Sequence, residues 1–571
     1  MANNPTVARW TAVAPPKPRP ASGTYVTAMQ AAAFRSYMQT HSESETARQL
    51  GLSQIRTREL LVQYERNLLR DAGLSPPSLK EMLKGDISTR FQISRDLRNG
   101  RPASHARAVA MPVPAVPATG EAADGWRHVE PPSSGVRRFV VTSARADATV
   151  HGGFMRNLEA YAGHHGAELV VAALGPRSGA ERGLVREPID FAGRLDLRAD
   201  IMPPMVSRMP LEGLQHLSPG RWAAFPHASQ QLESLPRIGR LPPRVHLTTG
   251  AATAHGDPAR RTPARLGALV VEMLPDGRVL ARTISTSASG DGSFHDLDER
   301  VSKGRVATGL RVAGLVAGDL HHPRCDPTVV TATWGSNDGD DGLVARLRPH
   351  AQVLHDVCDM RARSHHERRD AHARFAHHVR GTGDVRAELA STAAFLERIR
   401  LADGVTAVVH SNHDEHLLRW LREADHRSDL LNAEFQLDRE RALLARIRSG
   451  ADTDTFFAET LRSLSKDGLD GVRFLSDGDT FPIGGVECGV HGHAGPDGTR
   501  GSVGAFERLG IDMVLGHFHR PLARGGLHVS GVCQLDLGYA RGPSSWAIAH
   551  VVVHHDGSRQ HVFLDGDRFA A

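Results

Sequence analysis

Two hydrophobic patterns succeed each other along the chain. Between residues 27 and 100 apolar positions recur at helical spacing. Ser44 caps a predicted helix running through Leu50, Gly51 breaks it, and Ser53 caps a second helix over 54–69. A short helix, a glycine turn and a second helix predict a helix-turn-helix-like unit. Its second helix opens with Gln54, Arg56, Thr57 and Arg58, which suit base edges or phosphates. A helical hairpin used for self-association is the competing reading. The proline-bearing residues 1–26 are expected to be a flexible arm, and the Pro/Ala-rich stretch 101–125 a linker.

After Trp126 the pattern shifts to short apolar runs. Strands predicted over 138–142 and 168–172 flank a helix over 154–162, a strand-helix-strand unit that implies a parallel sheet. Further strands are expected at 244–249 and 267–273. Residues 126–305 therefore read as a smaller α/β domain. It carries no phosphate loop, dinucleotide fingerprint or nucleophile elbow, so its role is not legible.

From Arg311 onward one grammar repeats: an apolar run ends abruptly in His, Asp or Asn. Run 311–317 leads to Asp319 and His321, run 351–354 to His355 and Asp356, and run 405–409 to Asn412 and His413. Run 485–490 leads to His491 and His493, and run 511–515 to His517 and His519. Buried strands that deliver polar residues at their tips are how open α/β sheets build active sites. Spacings such as Asp319-x-His321 and His517-x-His519 let two side chains point to one side of an extended segment. Carboxylates, imidazoles and an amide oxygen favour borderline divalent ions. Two ions about 3.5–4 Å apart can share a carboxylate and a hydroxide, and so clamp an in-line displacement at phosphorus. Strands predicted over 527–532, 534–537, 546–554 and 559–564 follow, with Asp556-Gly557 in the last turn.

Composition narrows the classes. Five lysines among 69 basic residues leave 64 arginines, which suits phosphate recognition as well as a biased codon usage. The net charge of +5 permits nucleic-acid binding without requiring it. The four cysteines lie far apart with no CxxC pair, which points to buried thiols in a reducing compartment. No apolar run reaches the ~18 residues of a membrane span and no signal peptide is visible, so the expectation is a cytoplasmic protein without a membrane partner.

The five segments, in this order, resemble the calcineurin-like metallophosphoesterase superfamily, whose motifs run GDxH, GDxxD, GNH(D/E), a lone His after a strand, and GHxH. The resemblance implies a two-sheet αββα sandwich over 306–571. It implies that Asp319, His321 and His519 hold one metal and that Asn412, His491 and His517 hold a second. Asp356 would bridge them, and His413 would serve the leaving-group oxygen as general acid or transition-state stabiliser. His355 and Ser411 stand where the family carries Gly. His493 stays open as an alternative to His491. Residues 245–251, 291–294, 326–335, 354–366, 411–414 and 542–546 are further similar to the tailed-phage first-step-transfer (pre-early) nuclease-like members. That implies a Mn-dependent DNA nuclease with two divalent ions, working in a host bacterial cytoplasm. The helix-turn-helix-like unit and the basic segment with Arg361, Arg363, His365 and His366 also tilt the reading toward DNA. A protein or nucleotide phosphatase and a non-catalytic DNA-binding or assembly protein are the alternatives. The sequence leaves a homo-oligomer open, along with exo- versus endonuclease action.

Overall fold

The computed structural model describes residues 29–71 and 125–569 apart from positions 31, 34–35, 38–42, 176–182, 206, 240, 254–265, 288, 337–340, 365–366, 368–369 and 539–541. The arm expected over 1–26, nearly all of the expected linker, and both His365 and His366 lie outside the described residues.

The chain divides into two units, 1–121 and 122–571. In the first, helices Glu43–Leu50 and Gln54–Asp71 are joined through Gly51 at φ 66°, a conformation that favours glycine. The Leu52 N–H closes the first helix on the Ala47 carbonyl at 2.9 Å, and Ser53 Oγ caps the second by accepting the Arg56 N–H at 3.2 Å. Leu60, Leu61 and Tyr64 pack against Ala33 and Tyr37. Thr57 is fully buried, so it packs inside the unit and cannot reach a base edge, contrary to the sequence expectation. Arg56 is exposed and pairs with Glu59 at 2.9 Å, while Arg58 is half-buried.

The second unit is mixed α/β. Strands Arg137–Arg145 and Glu168–Leu174 are parallel and joined by helix Gly152–His165, which ends at Gly166 with φ 59°. Gly267–Met273 and Val279–Ser285 complete a four-stranded sheet.

A six-stranded sheet runs Val472–Phe474, Val405–Val408, Ala351–Leu354, Gly314–Val316, Ala549–Val553, Arg559–Phe563. The first four strands are parallel and the last two antiparallel. Val353 and Ala407 share a core with Val486 and Val514 of a second sheet. Their neighbours Leu354 and Val408 pack instead with Leu389, Leu417 and Leu461 of helices Val385–Ile399, Glu415–Glu423 and Phe456–Leu464. Burial on both faces explains why these strands read as unbroken apolar runs.

The second sheet has eleven strands. Pro482–Ile483, Val486–Glu487, Met513–Leu515, Leu527–Val529 and Leu522–Arg524 continue through Leu232–Leu235 into Arg244–Thr248 and four more strands. The junction is antiparallel, with Leu522 opposite Glu233 and Ala523 opposite Leu232. The boundary expected near residue 305 therefore lies inside one continuous unit, because main-chain pairing carries the sheet across it. On the outer face Phe506 of helix Val503–Glu507 packs on Met513 and Leu515. The layers around the C-terminal half are thus helices, sheet, sheet, short helix. Residues 534–537 are irregular, not the expected strand: Asp536 Oδ1 turns back to accept the Gly538 N–H at 2.9 Å.

Candidate metal centre

The parallel strands of the six-stranded sheet stop within a few residues of one another, and their tips are tied together. The His321 N–H bonds the Asp356 carbonyl at 2.7 Å and the Leu320 N–H bonds the His355 carbonyl at 3.0 Å. His321, Asp356, His517 and His519 take φ values of 54°, 44°, 67° and 56°. Left-handed backbone at a non-glycine residue costs about 1–3 kcal/mol and persists only where the surroundings enforce it. Neither His355 nor Ser411 has a positive φ, so the turns do not use the freedom of the glycines that the motif comparison led one to expect there. Gly516 is required for another reason. A Cβ on it would lie 2.4 Å from Asp319 Oδ1 and 2.8 Å from His355 Cγ.

These tips bring seven of the expected residues together. His519 Nε2 stands 3.0 Å from Asp319 Oδ2 and 3.0 Å from His321 Nε2, and His321 Nε2 lies 3.5 Å from Asp356 Oδ2. On the other side of Asp356, Oδ1 faces His491 Nε2 at 3.3 Å, and that nitrogen lies 3.2 Å from Asn412 Oδ1. The His517 ring packs on His491 at 5.1 Å between centroids. Asp319 Oδ1 is buried with no hydrogen-bond partner. A carboxylate oxygen buried without a partner beside two imidazole nitrogens is costly, and a cation among them would satisfy it. Asp319, His321, Asp356 and His519 could hold a metal ion, as could Asp319, His355 and His491.

The electrostatics suit that use. Burial pushes His355 and His517 down to about 4 and also lowers His321, which leaves these rings neutral and able to ligate at neutral pH. Burial opposes ionisation of Asp356, but facing His491 and His413 outweigh it and hold the carboxyl well below its usual range. Asp319 is lowered in the same way, by His519 against burial.

The centre opens into a cavity of about 470 Å³ whose walls include His413, Arg361, Arg500, Phe518 and Trp546. His413 Nδ1 donates to the Asp359 carbonyl at 3.0 Å, and its ring meets His321 edge-on at 4.6 Å. Arg361 is on the cavity wall, but Arg363 is buried and forked onto Asp429, with Nη2 2.6 Å from Oδ1. That pairing corrects its assignment as a phosphate contact. His493 is not among the centre's donors; it lies with His410 and Glu415.

Sequence reasoning assigned no role to Asp359, the second carboxylate of the Asp356-x-x-Asp359 spacing. Its Oδ1 accepts from His321 Nδ1 at 3.2 Å, the arrangement that fixes a ligating histidine. Spacing alone was the available signal. Arg500, nine residues past His491, carried no signal of its own, and Trp546 was marked only as the end of the matching stretch 542–546.

The fold and site define a mixed α/β protein whose buried His and Asp groups could hold metal ions. No protein-family model and no solved structure matches the chain. The chain is 30% identical over 466 residues to "Protein A1" of Escherichia phage T5, across 76% of this chain and 83% of that protein. It belongs to the Protein A1 family. No helix among the described residues is long and apolar enough to cross a membrane.

Proposed function

We propose that the chain is a phage-encoded two-metal phosphodiesterase that hydrolyses DNA with Mn, built on the αββα sandwich of the metallophosphoesterases. The observation that supports this most is Asp356 facing a donor set on each side: Asp319, His321 and His519 on one, Asn412, His491 and His517 on the other. Divalent ions held there would neutralise charge at phosphorus and acidify a water for attack. The chain's own residues supply the rest. His413, with its Nδ1–H fixed on a carbonyl, has Nε2 left, and in the imidazolium form that nitrogen can pass a proton to the leaving-group oxygen. Arg361 and Arg500 give the cavity cations for the neighbouring phosphates. The family's phage member agrees with a phage origin.

The test is a panel of divalent metals on linear duplex, circular duplex and single-stranded DNA, with Asp356→Ala alongside. The wild type should cleave DNA with Mn, and Asp356→Ala should not, while its circular dichroism matches the wild type. Faster turnover of a small phosphomonoester than of DNA would instead favour a phosphatase. DNA binding unaffected by a chelator, with no hydrolysis under any metal, would favour a binding or assembly protein.

A further inference from the structure

A second group of donors converges outside the cavity. His410 follows strand Val405–Val408, Glu415 opens helix Glu415–Glu423, and His493 lies two residues past His491. Both imidazole Nε2 atoms stand 3.8 Å from the same oxygen, Glu415 Oε1. The three ligand atoms lie within 4.8 Å of one another. The two rings are largely buried, at 14% and 17% side-chain exposure, and His493 Nδ1 is buried with no hydrogen-bond partner.

Distances of 3.8 Å are too long for hydrogen bonds. They are close to what an ion needs: with ligands at about 2.0–2.2 Å and tetrahedral angles, two donors stand roughly 3.4 Å apart. A closure of a few tenths of an ångström would bring each imidazole to that spacing from Glu415 Oε1. Glu415 Oε2 faces Arg419 at 3.7 Å, which leaves Oε1 to the two imidazoles. None of the three residues is on the cavity wall.

We infer that His410, Glu415 and His493 form a separate site for a borderline divalent cation, Zn foremost, with water in the remaining position. The ion clamps the loop that carries His491 and Arg500 to the helix start just after Asn412 and His413. It joins two parts of the cavity rim without entering the cavity. The site does not depend on the nuclease reading.

The test counts Zn in Asp356→Ala/His519→Ala chains, in which the main centre has lost shared donors. After dialysis against Zn, elemental analysis should find about one tightly held ion per chain assignable to this site. Adding Glu415→Gln, or separately His493→Asn, should remove it, weakening Zn affinity by more than the about 10–100-fold that outer-sphere partners cost. Co(II) should give visible absorption bands of low coordination number in the doubly substituted chain and lose them in both triple variants. Zn content and Co(II) bands unchanged by both substitutions would overturn the site. Two substitutions on different segments keep the result readable if one of them disturbs folding, and a failure to cleave DNA leaves it untouched.

Discussion

Replacing Asp359 probes the centre from behind. Its Oδ1 accepts the His321 Nδ1–H at 3.2 Å, and the residue is 2% exposed. That bond selects the tautomer in which the His321 Nε2 lone pair faces Asp356 and His519. In Asp359→Ala the Nδ1–H is left buried without an acceptor, a cost of about 1–3 kcal/mol in stability. The ring also loses its orientation, and outer carboxylates of this kind contribute about 10–100-fold to metal affinity. At ~1.4 kcal/mol per tenfold, that is about 1.4–2.8 kcal/mol. Asp359→Asn keeps an acceptor oxygen and the side-chain volume, so it should recover most of the stability but less of the affinity. The His413 bond is to the main chain and should survive in both. Calorimetric Mn titration, with DNA cleavage followed against Mn concentration, reads the effect. Half-saturation should rise about 10–100-fold, with the maximal rate largely restored at high Mn. Unchanged Mn affinity in Asp359→Ala, or lost cleavage that no Mn concentration restores, would refute the positioning role.

Gly516→Ala would press a methyl against Asp319 Oδ1 and His355. Overpacking of this kind costs about 1–3 kcal/mol, so melting and Mn binding should fall together. Arg282→Met takes from buried Asp296 its arginine partner and leaves buried Glu272 with Arg138 alone, at 3.0 Å. Loss of one partner from such a group costs about 3–5 kcal/mol in urea unfolding, and a loss well under 1 kcal/mol would show the network to be inert. Burial pushes Glu388 up to about 7, against the backbone N–H groups of Ala362 and Arg361. The folded form therefore holds the proton more tightly than the unfolded chain. Its stabilisation is present in full below the unfolded pKa and is lost as pH rises through about 7. Stability measured from pH 4 to 8 should fall more steeply in the wild type than in Glu388→Gln, and parallel curves would refute the assignment.

The local parts of the fold were legible. Strand Gly267–Met273 has the bounds read from its apolar run, and helix Gln54–Asp71 starts where the Ser53 cap placed it. The strand tips were visible because an apolar run that stops at His or Asp is a strong local contrast. Pairing between distant strands was not. Nothing in Leu232–Leu235 announces Leu522–Arg524 as a neighbour, since a ladder is made by main-chain groups that every residue possesses. Thr57 and Arg363 misled for a related reason. A Thr or an Arg in a polar stretch looks exposed until burial or a partner such as Asp429 is seen.

The ladder between Leu232–Leu235 and Leu522–Arg524 has a practical side. A fragment that began near residue 306 would keep all seven expected ligands yet leave Leu522–Arg524 with a bare rim of amides and carbonyls, an invitation to stick to its own kind. The two stretches of chain are thus not interchangeable cassettes. Expression trials, domain swaps and recombination between related genes would each have to carry both or lose the scaffold.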